Sequence, residues 1–168
     1  MFQDALGREI QIPTIQLDFA TPKRFGLFYI DENGEKQTPV MVHRAVLGSY
    51  ERFIVLLLEQ FKGVLPVWLS PVQVNIVPVN MKYHDEYCKR LKNILLNEDI
   101  RVEYDDSKES MGKKLRESNI MKNPYTVIIG DNERDNNLIS YRKYGSEETY
   151  TIPLNDFIKM IKEEMKRK

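Results

Sequence analysis

Along the first third of the chain, apolar and polar residues alternate. In "TIQLDF" (14–19), Ile15, Leu17 and Phe19 alternate with Thr14, Gln16 and Asp18, which predicts a strand with two unlike faces. "FGLFYI" and "KQTPVMV" flank "DENGE", whose Asn33-Gly34 pair favours a tight turn, so a hairpin is expected over 25–42. The period then lengthens. Val46, Tyr50, Phe53, Ile54, Leu57, Leu58 and Phe61 fall at helical spacing and predict a helix that begins near Ala45.

"FKGVLPVWLSP" interrupts the periodic segments with two prolines and a glycine, and marks a boundary between a first part, 1–69, and a second, 70–168. Beyond it, strand and helix patterns alternate. "VQVNIVPV" predicts a strand, and Tyr83, Tyr87, Leu91, Ile94 and Leu95 a helical stripe. "IRVEY" is a second strand, "MGKKLRESNIMK" a helix and "PYTVIIGD" a buried strand, with "LISYRKY" returning beside it across a turn at "ERDNN". "LNDFIKMIKEEMKRK" closes the chain as a helix whose basic last turn suits the helix dipole. The expected fold class is α/β, a mixed sheet flanked by helices, preceded by a strand, hairpin and helix.

Composition changes this picture little. The 168 residues carry 25 Lys and Arg against 25 Asp and Glu, with 42% hydrophobic residues, an ordinary globular balance. Zero net charge argues against a protein held on DNA or RNA by its overall field, and leaves room for a local basic patch. The lone Cys88 rules out an internal disulfide framework and suits a reducing cytoplasm. "MFQDALGREIQ" does not read as a signal peptide, and "FIVLLL" is too short to span a bilayer, so no membrane association is expected.

Candidate chemistry collects at the front of the first helix. With a start near Ala45, Gly48, Ser49 and Arg52 share a face beside the apolar stripe. A bare glycine lets a flat ligand approach the backbone, and a guanidinium stacks on rings or pairs with phosphates. His43 lies just before it. On spacing alone, a surface arginine and a histidine near a helix cap account for the same pattern. His84 and Cys88, one helical turn apart, offer two metal ligands, which make a weak site; a helix flank with a half-buried thiol is the plainer account.

Taken whole, "PVMVHRAVLGSYERFI" resembles the third signature motif of class II aminoacyl-tRNA synthetases, in the version of the threonyl-tRNA synthetase family. "GREIQIPTIQLDFATPKRF" resembles the strand before it, and "WLSPVQV" the junction into that family's anticodon-binding domain. The resemblance implies that the first part is the end of an antiparallel-sheet catalytic domain. It matches His43 to a zinc ligand and Arg52 to the catalytic arginine that stacks on the adenine of ATP. Gln11, Thr14 and Ser49 match positions around ATP, and Gln16 one near threonine. Zinc with open positions can grip the amine and hydroxyl of threonine, which valine lacks. The family's other two zinc ligands and its phosphate-binding arginine match nothing here, so the chain alone is expected not to aminoacylate. Zn2+, ATP and Mg2+ are the implied cofactors, in an intact enzyme that is a homodimer.

The second part, through "DDSKESMGKKLRESNIMKNPYTVIIGDNERDNNLISYRKYG", resembles the anticodon-binding domain shared by several class II synthetases. That resemblance matches Lys108, Arg116, Glu133 and Arg142 to positions that approach the anticodon of tRNA(Thr). Lys108 stands where the family often has asparagine, so phosphate contact is expected of it. Threonine anticodons carry guanine in the middle, and a carboxylate can accept from the N–H edge of a splayed guanine. The alternative is a non-catalytic module that keeps such a domain to bind RNA or a protein.

Overall fold

The computed structural model describes residues 2–4 and 6–166. In chain order the elements are β1 (Phe2–Gln3), β2 (Glu9–Ile10), β3 (Thr14–Asp18), α1 (Thr21–Arg24), β4 (Tyr29–Ile30), β5 (Lys36–Gln37), β6 (Met41–Ala45), α2 (Tyr50–Gln60), β7 (Val74–Pro78), α3 (Met81–Asn97), β8 (Val102–Tyr104), α4 (Met111–Ile120), β9 (Tyr125–Ile129), α5 (Asp131–Asn136), β10 (Leu138–Lys143), β11 (Tyr150–Pro153) and α6 (Leu154–Met165). Contacts divide the chain into two compact units, Met1–Gly63 and Val64–Lys168, a few residues before the boundary drawn at Leu69.

In the first unit, β3 pairs antiparallel with β6, bringing Thr14 opposite Ala45, Gln16 opposite His43 and Asp18 opposite Met41. The expected hairpin is present but short. Only Tyr29–Ile30 and Lys36–Gln37 pair across a turn in which Gly34 takes a left-handed φ of 81°. Met41 and Val42 belong instead to β6, because Thr14–Asp18 offers them a longer ladder. The helix also starts later than Ala45. Gly48 has a φ of 68°, incompatible with an α-helix, and Ser49 is the N-cap, its hydroxyl accepting from the Arg52 N–H. Val46 is therefore outside the helix, and Gly48, Ser49 and Arg52 do not form one helical face. Ile15, Leu17, Phe19, Val42, Ile54 and Val55 are all exposed.

The second unit is built on a five-stranded mixed sheet in the order β11-β10-β9-β7-β8. Its β7, β8 and β9 run parallel, while β10 and β11 are antiparallel to their neighbours. α3 carries the chain from β7 to β8, and α4 carries it back past β7 to β9. Because such crossovers are right-handed and these two step in opposite directions, α3 and α4 cover opposite faces. Alternation then sorts the side chains. Val74, Ile76, Tyr125, Val127, Ile139 and Tyr141 face the core, packed by Leu91 and Leu95 of α3 and Phe157 and Ile161 of α6. Asn75, Thr126, Ser140 and Arg142 face the other way, toward α4.

The stripe of α3 is rotated from the one expected. His84, Tyr87, Cys88, Leu91 and Leu95 are buried, while Tyr83 and Ile94 are exposed. The imidazole of His84 can enter the core side because both nitrogens are satisfied. Nδ1 accepts from the Asn80 N–H at 3.1 Å, and Nε2 lies 3.2 Å from Asp131 Oδ1. Cys88 is fully buried rather than half-buried, and among the described residues no three His, Cys, Asp or Glu side chains gather in one place.

Two further elements depart from the sequence pattern. "ERDNN", expected as a turn, lies in and just after α5: Glu133 reaches back to the Gly130 N–H, acidic residues fill the first turn, and Asn137 ends the helix with a left-handed φ of 53°. The edge strand β11 has no run of buried apolar residues to announce it; only Ile152 of its four residues is even half-buried.

Candidate nucleic-acid interface and ligand-facing sheet

On the polar side of the second unit's sheet, α4 is tied down by small hydroxyls and one buried lysine. Ser118 Oγ and Thr126 Oγ1 are 2.7 Å apart. Lys114, 1% exposed, donates from Nζ to the Asp105 carbonyl at 2.8 Å, and lies 3.5 Å from the Asp105 carboxylate. These contacts hold α4 over β7 and β9 and leave its next face free. Arg116 projects from that face. Together with Asn119 it lines a cleft of about 390 Å3 whose other wall is Thr126, Arg142 and the Tyr144–Glu147 turn. The Arg142 guanidinium is steadied by its Nε, which donates to Thr149 Oγ1 at 2.8 Å.

Glu133 comes to the same side of the sheet from α5. Ser140, which precedes Arg142 by two residues and so shares its face, donates to Glu133 Oε1 at 2.7 Å. The Gly130 N–H donates to Oε2 at 2.9 Å. Burial alone would raise the Glu133 carboxyl, but these hydrogen bonds outweigh it and hold the group below its ordinary value, ionised at neutral pH. Two guanidinium groups in one cleft, with a fixed carboxylate on the same sheet face, can pair with phosphates, stack on bases and accept from base N–H groups.

Lys108 stands apart, exposed in the loop before α4, and lines no part of that cleft. The structure thus brings together Arg116 and Arg142, links Glu133 to them along one face, and leaves Lys108 outside. Ser140 and Gly130 escaped the sequence analysis. The signal for Ser140 was present, since its spacing from Arg142 puts both on one strand face.

In the first unit, Thr14, Gln16, Asp18 and His43 share one face of the β3–β6 pair, as the alternation required. Gln16, Asp18 and His43 line a shallow open hollow with Leu17, Phe19 and Ala20. Asp18 also escaped the sequence analysis. Hydrogen bonds from the hydroxyl and N–H of Thr21, and from His43 Nε2 at 3.0 Å, pull its carboxyl far below the ordinary range. The Asp18 carboxylate can only accept, so Nε2–H donates to it and Nδ1 is left outside that bond, an arrangement in which a carboxylate can orient a metal-ligating imidazole. Gly48 and Arg52 do not line this hollow. Gln11 is exposed just before β3, while the Gly48 Cα faces the Ile12 carbonyl closely enough that a methyl there would stand 3.6 Å from it. The turn carrying Ser49 and the segment carrying Gln11 are therefore neighbours.

Residues 73–164, more than half of the chain, match the family model described as the anticodon binding domain. The chain belongs to the anticodon binding domain family. Residues 1–61 match the class II tRNA synthetase core domain of the G, H, P, S and T group, so a stretch of class II core precedes the anticodon binding domain. The chain is 48% identical over 164 residues to the threonine–tRNA ligase of Ureaplasma parvum serovar 3, covering 97% of this chain and 28% of that protein. With the threonine–tRNA ligase of Lactobacillus acidophilus it shares 47% identity over 162 residues, 96% of this chain and 25% of that protein. The crystal structure of the RNA binding domain of threonyl-tRNA synthetase from Cryptosporidium parvum Iowa II superposes with a TM-score of 0.76 at 36% identity, covering 95% of this chain and 40% of that one. The chain thus spans 25–28% of the length of these curated relatives. Among the described residues no helix is long and apolar enough to cross a membrane.

Proposed function

We propose that the chain is the tRNA-selecting, C-terminal part of a threonine–tRNA ligase. The observation that carries this reading is the cleft shared by Arg116 and Arg142, with the ionised Glu133 fixed on the same sheet face. Arg116 and Arg142 donate to phosphates and base acceptors of a threonine anticodon, and Glu133 accepts from its middle guanine. Lys108, outside the cleft, contacts phosphate.

The first unit supplies one wall of the aminoacylation site. Thr14, Gln11 and Ser49 lie toward ATP, with Arg52 on the adenine, while Gln16 faces threonine. His43, oriented by Asp18, gives one zinc ligand, and the remaining ligands come from sequence outside this chain. In the whole enzyme, a cytoplasmic homodimer, ATP and Mg2+ activate threonine before its transfer to tRNA. The chain alone binds RNA and does not aminoacylate.

The test is a comparison of two anticodon stem-loops, one with a threonine anticodon and one with its middle guanine replaced. The guanine stem-loop is expected to bind several-fold tighter at equal salt, and equal affinities would overturn the reading.

A further inference from the structure

We propose that Gly130 and Ser140 are specificity-determining residues that hold Glu133 in the one position from which it can read guanine. This inference rests on Glu133 being the reader of the middle base.

Glu133 is held at both oxygens. Ser140 Oγ donates to Oε1 at 2.7 Å and the Gly130 N–H donates to Oε2 at 2.9 Å. Ser140 Oγ also lies 2.7 Å from Thr151 Oγ1, across the β10–β11 register that sets the two residues opposite each other. An ionised carboxylate has no proton to give, so the Ser140 proton goes to Glu133 and the Thr151 proton to Ser140. The edge strand β11 therefore sets the direction of a short hydrogen-bond relay that ends on the carboxylate.

Gly130 contributes by what it lacks. Its φ of −118° suits any residue, so the backbone does not demand glycine here. Space is tight. A methyl group at Gly130 would stand 3.1 Å from Glu133 Oε2 and 3.5 Å from Val79 Cγ2, so the carboxylate would have to shift by a few tenths of an ångström from its place over the Gly130 N–H.

Each carboxylate oxygen has two acceptor positions, and the cradle uses one on each. The remaining pair matches the adjacent N1–H and N2–H donors of guanine. Adenine presents an acceptor at N1 and gains nothing from such a pair. The long contact from Asn132 Nδ2, 3.5 Å from Oε1, is weak enough for a base to displace.

The experiment measures the affinity of the chain for stem-loops with guanine or adenine in the middle of the anticodon, using wild type, Glu133→Gln, Gly130→Ala, Ser140→Ala and Ser140→Thr. Wild type is expected to favour guanine roughly 5- to 150-fold, the range of one good two-point base contact. Gly130→Ala and Ser140→Ala should lose most of that preference through weaker guanine binding, with adenine affinity unchanged because the phosphate contacts remain. Ser140→Thr, which keeps the hydroxyl, should retain it. If Glu133→Gln abolishes the preference while Gly130→Ala and Ser140→Ala keep it, the cradle is overturned and Glu133 stands as reader. A preference intact in Glu133→Gln overturns both. Parallel loss for both stem-loops in Ser140→Ala and Gly130→Ala marks general damage and also counts against the cradle.

Discussion

Asp18 gathers donors from three directions: the Ala20 and Thr21 N–H groups at 2.9 Å, the Thr21 hydroxyl, and His43 Nε2 at 3.0 Å. A carboxyl held this far below its unfolded value, near 3.9, contributes stability above that value and loses it as the pH falls. Asp18→Asn should therefore lower the urea midpoint of the first unit at pH 6, and the gap from wild type should begin to narrow below about pH 4 and keep narrowing through about pH 2. A gap as wide at pH 2 as at pH 6 would mean that something other than the ionised carboxylate is at work. The arginines make a matching prediction on the polar face. Arg142→Ala should weaken the guanine stem-loop by about 1–3 kcal/mol if it touches a base. Lys108→Ala should instead weaken all stem-loops alike and lower the salt slope by about 1, as a phosphate contact does.

Helix α3 is the element whose face decides the second core. Leu91→Ala removes a side chain 1% exposed and should cost about 2–5 kcal/mol in urea unfolding, whereas Leu96→Ala, at 45% exposed, should cost far less. Equal costs would mean that the buried stripe is not the one running from His84 through Leu95. For α4, Lys114→Ala removes the donor to the Asp105 carbonyl and the cation beside its partly exposed carboxylate, and should cost about 1–3 kcal/mol. These helices also explain which parts of the fold were legible in the sequence. The strand "TIQLDF" follows from its alternation, "YTVII" from its apolar run, and the presence of α3 from helical spacing. The rotation of α3 does not, because a histidine and a cysteine sit on its buried face and the partner that satisfies His84, Asp131, is remote in sequence. The start of α2 was hidden because apolar Val46 continues the helical spacing while Gly48 and Ser49 stop the helix by dihedral angle and capping. α5 was written in capping residues rather than apolar ones, and β11 in a nearly polar edge. The site divides the same way. Arg116 and Arg142 follow from the family motif, but their meeting in one cleft, and the cradle around Glu133, depend on contacts between β9, β10, α4 and α5.

Across the whole molecule, the two units differ in how well their apolar surfaces are covered. In the first, Ile15 and Leu17 are 69% and 61% exposed on β3, while in the second Val127 and Ile129 are fully buried on β9. Amide exchange should accordingly be much faster over 11–19 than over 127–130, and equal protection would contradict the division. The single cysteine gives that second unit a further property. Cys88 has no exposed surface, and burial, with Asp85 nearby, pushes its thiol up to about 12. Only an opened chain presents a thiolate to an alkylating reagent. Iodoacetamide incorporation under native conditions thus becomes an intrinsic clock for opening of the second unit, needing no engineered cysteine, and a stem-loop that binds should slow it.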